Sequence, residues 1–251
     1  MSRRCSRSWC AETRCDPDFP WLTEEDFFQF PDPEQADGSV VAVGGNLSPG
    51  MLLSAYVQGI FPWFNEDDPL YWQSPDPRFV ILPENLHIPS RLRRTIKSGL
   101  FDIRFDTSFE RVIQFCSGIM RPGQDGSWIT DDMIESYTEL HRLGYAHSVE
   151  AWHDGVLVGG FYGVLLGSVF FGESMFTRMP DASKTAFSVF APLFFGKMNG
   201  ICIDSQVYTD HMARFGGKNI SRSAYARILD SGTKDFRLSK GLWPPALPVH
   251  A

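Results

Sequence analysis

Residues 170–178 read FFGESMFTR, one carboxylate, Glu173, set among three phenylalanines and a methionine. A carboxylate buried without a partner costs several kcal/mol. An acid in such a stretch therefore faces water, is satisfied by neighbours, or meets a cationic ligand. Further along, Asp204 and Gln206 flank Ser205 in ICIDSQV. Strand alternation points both side chains to one face, as it does Phe171, Glu173 and Met175 on the earlier segment. An aromatic pocket edged by acid and amide suits an apolar ligand that carries a positive group.

Other reactive residue types make poorer sites. His141, His147, His153 and His211 share no metal-ligand spacing with cysteines or carboxylates, and His147 and His153 bracket a predicted strand. They read as structural or surface residues, and no metal is expected. Cys5, Cys10 and Cys15 match no common zinc pattern and fall in a predicted disordered tail, residues 1–20. Cys116 and Cys202 sit inside predicted elements and read as buried thiols. The glycine-rich GVLVGG lacks dinucleotide-fold spacing. RFGGKN, Arg214 to Asn219, departs at its last position from the Arg/Gln-x-x-Gly-x-Gly/Ala pyrophosphate loop, and it follows the wrong strand. Acetyl-coenzyme A is thereby disfavoured as a donor, and no cofactor is expected.

The charge is unevenly placed. The 251 residues carry a net charge of −7, which opposes a general nucleic-acid coat. Residues 1–77 hold 4 Lys/Arg against 13 Asp/Glu, whereas residues 78–121 hold 8 against 4. One basic segment in an acidic chain fits a local polyanion site. No apolar run reaches the ~18 residues a membrane span needs. The basic start is not followed by the apolar stretch of a secretory signal, so a cytoplasmic protein is expected.

The elements that must position these residues follow from caps and periods. LSPGMLLSAYVQG reads as a helix with Ser48 as cap, Pro49 at its first position and Gly59 closing it. The proline- and aromatic-rich stretch after it reads as a linker, with a boundary near residue 77. PSRLRRTIKSG predicts a short helix capped by Ser90, DTSFERVIQFC a helix with an apolar core face, and TDDMIESYTELHRLG a helix capped by Thr130. Residues 146–177 change to a β-rich pattern, an antiparallel meander with a turn at Asp154–Gly155 and breaks at Gly163 and Gly167. ASKTAFSVFAPLFFGKMNG returns to helix, capped by Ser183 and kinked at Pro192. A strand over ICIDSQV and two closing helices complete an α+β domain of the acyltransferase (GNAT-like) kind.

Nine segments stand in order between residues 44 and 206: GGNLSP, GIFPWF, WQSPDPR, SWIT, LGYAHSVE, LVGGFYG, FFGESMF, ASKTA and IDSQ. Together they resemble the leucyl/phenylalanyl-tRNA–protein transferase family over roughly residues 30–230. That resemblance implies a small N-terminal α/β domain (21–77) followed by a GNAT-like catalytic domain (78–251) with a mixed, largely antiparallel sheet. It implies transfer of Leu, Phe or, less well, Met from aminoacyl-tRNA to proteins that begin with Arg or Lys, marking them for proteolysis. No membrane and no DNA enter that chemistry.

Position by position, the resemblance implies that Phe161, Met175, Phe190 and Ile203 hold the transferred side chain, with Glu173 at the edge to bind the acceptor. Trp63 and Trp128 would stack on the terminal adenosine. Asp204 and Gln206 match the catalytic pair, with Gln206 holding the attacking amine through its carbonyl oxygen and Asp204 orienting that amide. Arg91, Arg93, Arg94 and Lys97 would contact the tRNA backbone. Three positions depart from the family pattern: Gln73 replaces a second Trp beside Trp72, Ser205 replaces Cys, and Phe161 replaces a smaller Met or Leu.

Overall fold

The computed structural model describes Asp16, residues 18–65, 68–118 and 129–239, and Trp243. Two sheets organise them. The smaller has the order β1 (Val40–Val43), β3 (Tyr71–Gln73), β2 (Phe61–Pro62), all antiparallel. Between β1 and β2 runs α1 (Pro49–Val57), with Ser48 at its N-cap and Gly59 beyond its end at φ +76°. Residues Pro49 to Tyr56 of α1 are all buried. A helix apolar all round belongs between two layers, and α1 packs against both β2 and α4.

The larger sheet follows β4 (Arg78–Ile81), with the order β10, β4, β9, β8, β7, β6, β5. Its helices are α2 (Ser90–Lys97), which precedes β5 (Asp102–Phe105), then α3 (Phe109–Ser117) and α4 (Asp131–Arg142). The meander is β6 (Ala146–His153), β7 (Val156–Leu166) and β8 (Val169–Thr177). After it come α5 (Ala182–Lys197), β9 (Cys202–Asp204), the four-residue α6 (Asp210–Ala213), β10 (Lys218–Ile220) and α7 (Arg222–Gly232). β8 and β9 run parallel, and the other pairs among the described residues are antiparallel. The α+β class and the mixed, largely antiparallel sheet are thus borne out.

One apolar cluster joins the N-terminal segment to α3, α4 and one face of the large sheet; a second fills the other face beneath α2 and α5. The first cluster crosses the expected boundary near residue 77 without interruption. Arg222 of α7 ties the junction, donating to the carbonyls of Pro33, Gly38 and Ser74.

Local details depart from sequence expectation in instructive places. The strand β4 lies at the end of the stretch read as a linker, and β5 and β10 fall in the gaps between predicted helices; each has only three or four residues, too few to show a period. The tail expected through residue 20 ends sooner: Phe19 packs on the core, 5.5 Å edge-on from Phe28. α5 begins at an Asp181 N-cap, and Ser183 lies inside its first turn. Gly163 does not break β7 but lies in it beside a bulge, where an added Cβ would come within 2.2 Å of the Phe171 carbonyl oxygen.

Candidate active site

That bulge decides where the carboxylate goes. Gly163 pairs with Gly172 and Tyr162 with Ser174, so Glu173 is the extra, unpaired residue of β8. An inserted residue resets alternation. Phe171 consequently enters the first apolar cluster, while Met175, opposite Phe161, packs against the second. The expectation that Phe171, Glu173 and Met175 share a face is corrected accordingly.

Beyond Phe171 and Asp204, the last pair of the β8–β9 register, the two strands part. A cavity of about 590 Å³ opens there. Phe161, Phe170, Met175, Phe187 and Ile203 form its apolar wall, and Glu173, Ser205 and Gln206 bring polar groups to it. Trp63, Lys184 and His211 also line it. Burial, together with Lys184 and Arg214, pushes His211 down to about 4, so that imidazole is neutral near pH 7.

Glu173 is held by two phenols. The Tyr56 hydroxyl donates to Oε1 at 2.7 Å and the Tyr137 hydroxyl to Oε2 at 3.3 Å, while the two hydroxyls also touch one another. Both tyrosines are fully buried, Tyr56 on α1 and Tyr137 on α4. The cap of α4 sets that placement: Thr130 Oγ1 accepts from the Met133 N–H, and Met133, Tyr137 and Leu140 then face the core at helical spacing. Burial raises the Glu173 carboxyl to about 7, against the lowering effect of the tyrosine hydrogen bonds.

Asp204 has a different environment. Arg78 donates from Nε to Oδ1 at 2.9 Å and from Nη2 to Oδ2 at 2.6 Å, and the Tyr225 hydroxyl donates to Oδ2 at 2.7 Å. Burial works to lower the Arg78 pKa, but the Asp204 carboxylate more than offsets it, and the guanidinium stays charged. The fourth donor to Asp204 is the backbone N–H of Gln206, at 2.9 Å. Here the pair expected on one strand face is corrected: β9 ends at Asp204, and Gln206 lies past it at φ +55°. Asp204 therefore holds the backbone of Gln206, and the Gln206 amide Nε2 points to Glu173 Oε1 at 3.5 Å. Its side-chain oxygen accepts no hydrogen bond from the described residues.

Of the remaining candidates, Phe161, Met175, Ile203 and Trp63 line the cavity, whereas Phe190 lies behind its wall. Phe190 is fully buried against Phe161 and Phe170, at ring distances of 5.4 and 4.6 Å. Phe161 thus fills volume as part of a phenylalanine stack rather than alone. Gln73 donates to the Trp63 carbonyl at 2.8 Å, so the amide in place of a second tryptophan fixes the first one's backbone. Trp128 lies outside the described residues, as do Cys5, Cys10 and Cys15.

The basic residues sit on α2, whose Leu92 is buried in the second cluster. Arg91 pairs with Asp181 at 2.8 Å, next to Ser183 and Lys184 of the cavity wall, and Arg93 Nε donates to the Ile88 carbonyl. Arg94 and Lys97 are exposed, with no ion pair among the described residues. Asp106, His141 and His147 place ligand-type atoms within 4.8 Å of one another, each already hydrogen bonded. No helix among the described residues is long and apolar enough to cross a membrane.

Sequence reasoning passed over Tyr56, Tyr137, Arg78 and Tyr225. The first two fall inside predicted helices and are buried there. Arg78 ends the quoted WQSPDPR segment, and a cation there was the available signal.

Comparison with known proteins bears on this arrangement. The family model described as Leucyl/phenylalanyl-tRNA protein transferase matches residues 80–230, and that of its N-terminal domain matches residues 45–76. A leucyl/phenylalanyl-tRNA–protein transferase of Myxococcus xanthus is 52% identical over 225 residues, covering 88% of this chain and 96% of the relative. One from an Anaeromyxobacter species is 51% identical, covering 81% and 88%. One from Oleidesulfovibrio alaskensis is 48% identical, covering 86% and 88%. Among solved structures, a GCN5-related N-acetyltransferase from Kribbella flavida aligns over 69% of this chain and 62% of its own at 12% identity. Its TM-score of 0.36 is below the level that establishes a common fold.

Proposed function

The chain belongs to the leucyl/phenylalanyl-tRNA–protein transferase family, and we propose that the cavity at the β8–β9 parting is where it joins an aminoacyl group to an acceptor protein beginning with Arg or Lys. Leu and Phe are the transferred residues, with Met a poorer third, and the product is a protein marked for proteolysis. The observation that carries this reading is a single cavity with an apolar wall at Phe161, Met175 and Ile203 and a carboxylate-amide pair, Glu173 and Gln206, at its edge. The wall suits the transferred side chain, and the pair suits a positively charged N-terminus. Trp63 at the lining offers the ring on which an unpaired terminal adenine stacks. The exposed charges of Arg94 and Lys97 on α2 meet the tRNA backbone.

Replacing an aminoacyl ester by a peptide bond is downhill, so placement of two bound substrates is the main task. Such placement can supply on the order of 7–11 kcal/mol of the barrier. Asp204, anchored by Arg78 and Tyr225, fixes the Gln206 backbone; Glu173 holds the Gln206 amide nitrogen. That leaves the amide oxygen to accept from the acceptor's α-amine. Aminoacyl-tRNA is a cytoplasmic substrate, which places the enzyme there too.

The test is transfer of radiolabelled Phe from Phe-tRNA to a protein with N-terminal Arg. Label is expected in that protein, little in the same protein starting with Ala, and none when acetyl-coenzyme A replaces the tRNA. Equal labelling of the Arg and Ala forms would sink the acceptor assignment.

A further inference from the structure

We propose that Glu173 takes the proton that the acceptor's α-ammonium must lose before attack, with Tyr56 and Tyr137 as positioning residues that ready it. The inference rests on the acceptor reading above, which places the ammonium beside this carboxylate. Its basis is a proton count. Tyr56 Oη, Tyr137 Oη and the carboxylate make three oxygen–oxygen contacts in a closed ring. Each phenol has one hydrogen to donate. Two hydrogens fill two contacts, and the third is filled only when the carboxyl itself carries one. With that proton, Tyr56 donates to Oε1, Tyr137 donates to Tyr56, and Oε2 donates to Tyr137. The ring is thus built to complete itself when Glu173 is protonated, and to hold two donors on the carboxylate when it is not.

The surrounding charges agree. Facing Glu173 are Tyr56 from α1, Tyr137 from α4, the Gln206 amide, Asp204 from β9 and Arg78 from β4. Burial is the largest effect and Asp204 adds to it, while the two hydroxyls and Arg78 oppose it, leaving the carboxyl at about 7. An unperturbed α-ammonium loses its proton near 7.7–8.0, close enough for transfer between them. Neither neighbour can substitute. Asp204 is fully buried behind the cavity lining, with two donors on each of its oxygens, and an amide hardly protonates.

Atoms and charge balance across the step. A Glu173 oxygen takes one proton from the ammonium, leaving a neutral amine and a neutral carboxylic acid. The amine lone pair forms the C–N bond at the ester carbonyl carbon, and the bond from that carbon to the terminal ribose oxygen breaks. The second N–H proton goes to the departing ribose oxygen, and Glu173 returns its proton to water. Ester and ammonium become amide, ribose hydroxyl and one released proton.

The deciding measurement is kcat with saturating Phe-tRNA and saturating Arg-starting acceptor, from about pH 6 to 9. Glu173→Gln is expected to lower kcat at least tenfold near pH 7. The deficit is expected to narrow toward pH 9, where solvent has already removed the proton. Tyr137→Phe deletes a donor that favours the carboxylate, so its acid limb is expected at higher pH than that of the unaltered enzyme. A Glu173→Gln enzyme with raised acceptor KM but unchanged kcat at every pH overturns the proton-acceptor role and leaves acceptor binding standing. A pH-independent loss, or a Tyr137→Phe limb that does not move, overturns it as well. Absence of transfer by the unaltered enzyme would remove the underlying reading too, an outcome distinct from these.

Discussion

Two carboxylates lie close together, Glu173 in the cavity lining and Asp204 buried just behind it, and their surroundings treat charge in opposite ways. Asp204 meets a guanidinium in a bidentate pair, plus a phenol and a backbone N–H. Glu173 meets two phenols and an amide, with no cation in contact among the described residues. The acid with a fixed cation has a donor at every lone pair, and its worth is geometric. A half-buried acid with neutral donors, raised to about 7, stays close to its titration point and can exchange a proton with a ligand. The two elements that carry them differ to match: Asp204 ends a strand paired on both sides, and Glu173 is the unpaired residue of a bulge.

Breaking the fixed pair should have the largest effect. Asp204→Asn leaves Arg78 buried beside a neutral amide, and loss of one member of a buried ion pair costs about 3–5 kcal/mol. We expect a large fall in the urea midpoint, with transfer lost as well because the Gln206 backbone is released. Arg78→Met should do the same. The double replacement should recover part of the stability without recovering activity, since the mate no longer stands unpaired. A midpoint for Asp204→Asn within experimental error of the parent would show that the pair is not what holds this turn.

Gln206→Ala addresses chemistry without touching the pair. Its backbone N–H, and so the turn, is retained. If Gln206 places the amine as proposed, its loss should lower kcat on the order of 10²-fold. Stability and tRNA affinity should be nearly unchanged. Wild-type turnover with both substrates saturating would remove Gln206 from the mechanism.

How much of this was legible beforehand follows from where the information lies. The helices and the meander were readable because caps, glycines and periods are local: Thr130 caps α4, and Asp154–Gly155 makes the hairpin with φ of +49° and +75°. The apolar wall was readable for Phe161, Met175 and Ile203 by resemblance. The bulge was not. Nothing in FFGESMF as text marks an inserted residue, and only the successive pairs Tyr162–Ser174 and Gly163–Gly172 reveal it. Gln206 was misplaced for the same reason, since a positive φ after a three-residue strand leaves no mark in alternation. Arg78 and Tyr225 lie far along the chain from Asp204, and tertiary pairing of that kind has no periodic signature.

The mobile charge can be sharpened through stability. The Glu173 carboxyl is raised from 4.5 to about 7 by folding, so the folded protein binds a proton that the unfolded chain releases. Its contribution is therefore present at low pH and is lost as pH rises from about 4.5 to 7. The loss is on the order of 2 kcal/mol for a carboxyl with this shift and partial exposure. Glu173→Gln should abolish that slope, making the variant the more stable protein at pH 8 and no more stable at pH 5. Denaturation midpoints at the two pH values decide it, and a variant that is less stable at both would mean the carboxylate is structural.

The apolar side of the cavity should fail differently from the acid side. Met175→Ala strips apolar surface from the proposed pocket for the transferred residue, where each methylene is worth roughly 1–3 kcal/mol of discrimination. We expect the choice among Leu, Phe and Val to blur while the demand for a basic acceptor N-terminus survives. Competition between the three aminoacyl-tRNAs at fixed acceptor measures the first, and the Arg-to-Ala acceptor ratio measures the second. Phe190→Leu, one layer behind the wall, should shift the same preference less.

The smallest effect repeats the contrast of paired and unpaired charge on the surface. On α2, Arg91 is tied to Asp181 at 2.8 Å, whereas Arg94 and Lys97 are exposed with no ion pair among the described residues. A phosphate competing for Arg91 must displace a carboxylate already in place. For Arg94 and Lys97 it displaces only salt ions. Each phosphate left without its cation should flatten the slope of log affinity against log salt by about 0.7–0.9. Arg94→Ala and Lys97→Ala should each approach that value, and Arg91→Ala should fall short of it. Because binding to phosphate carries no information about the amino acid, the weakening should be equal for Leu-tRNA and Phe-tRNA. Binding titrations over a range of salt measure all three variants at once. If Arg91→Ala flattens the slope as much as Arg94→Ala, then Asp181 releases Arg91 to the tRNA and ion pairing at that site is no restraint. If none of the three changes it, the tRNA lies on another face of the protein.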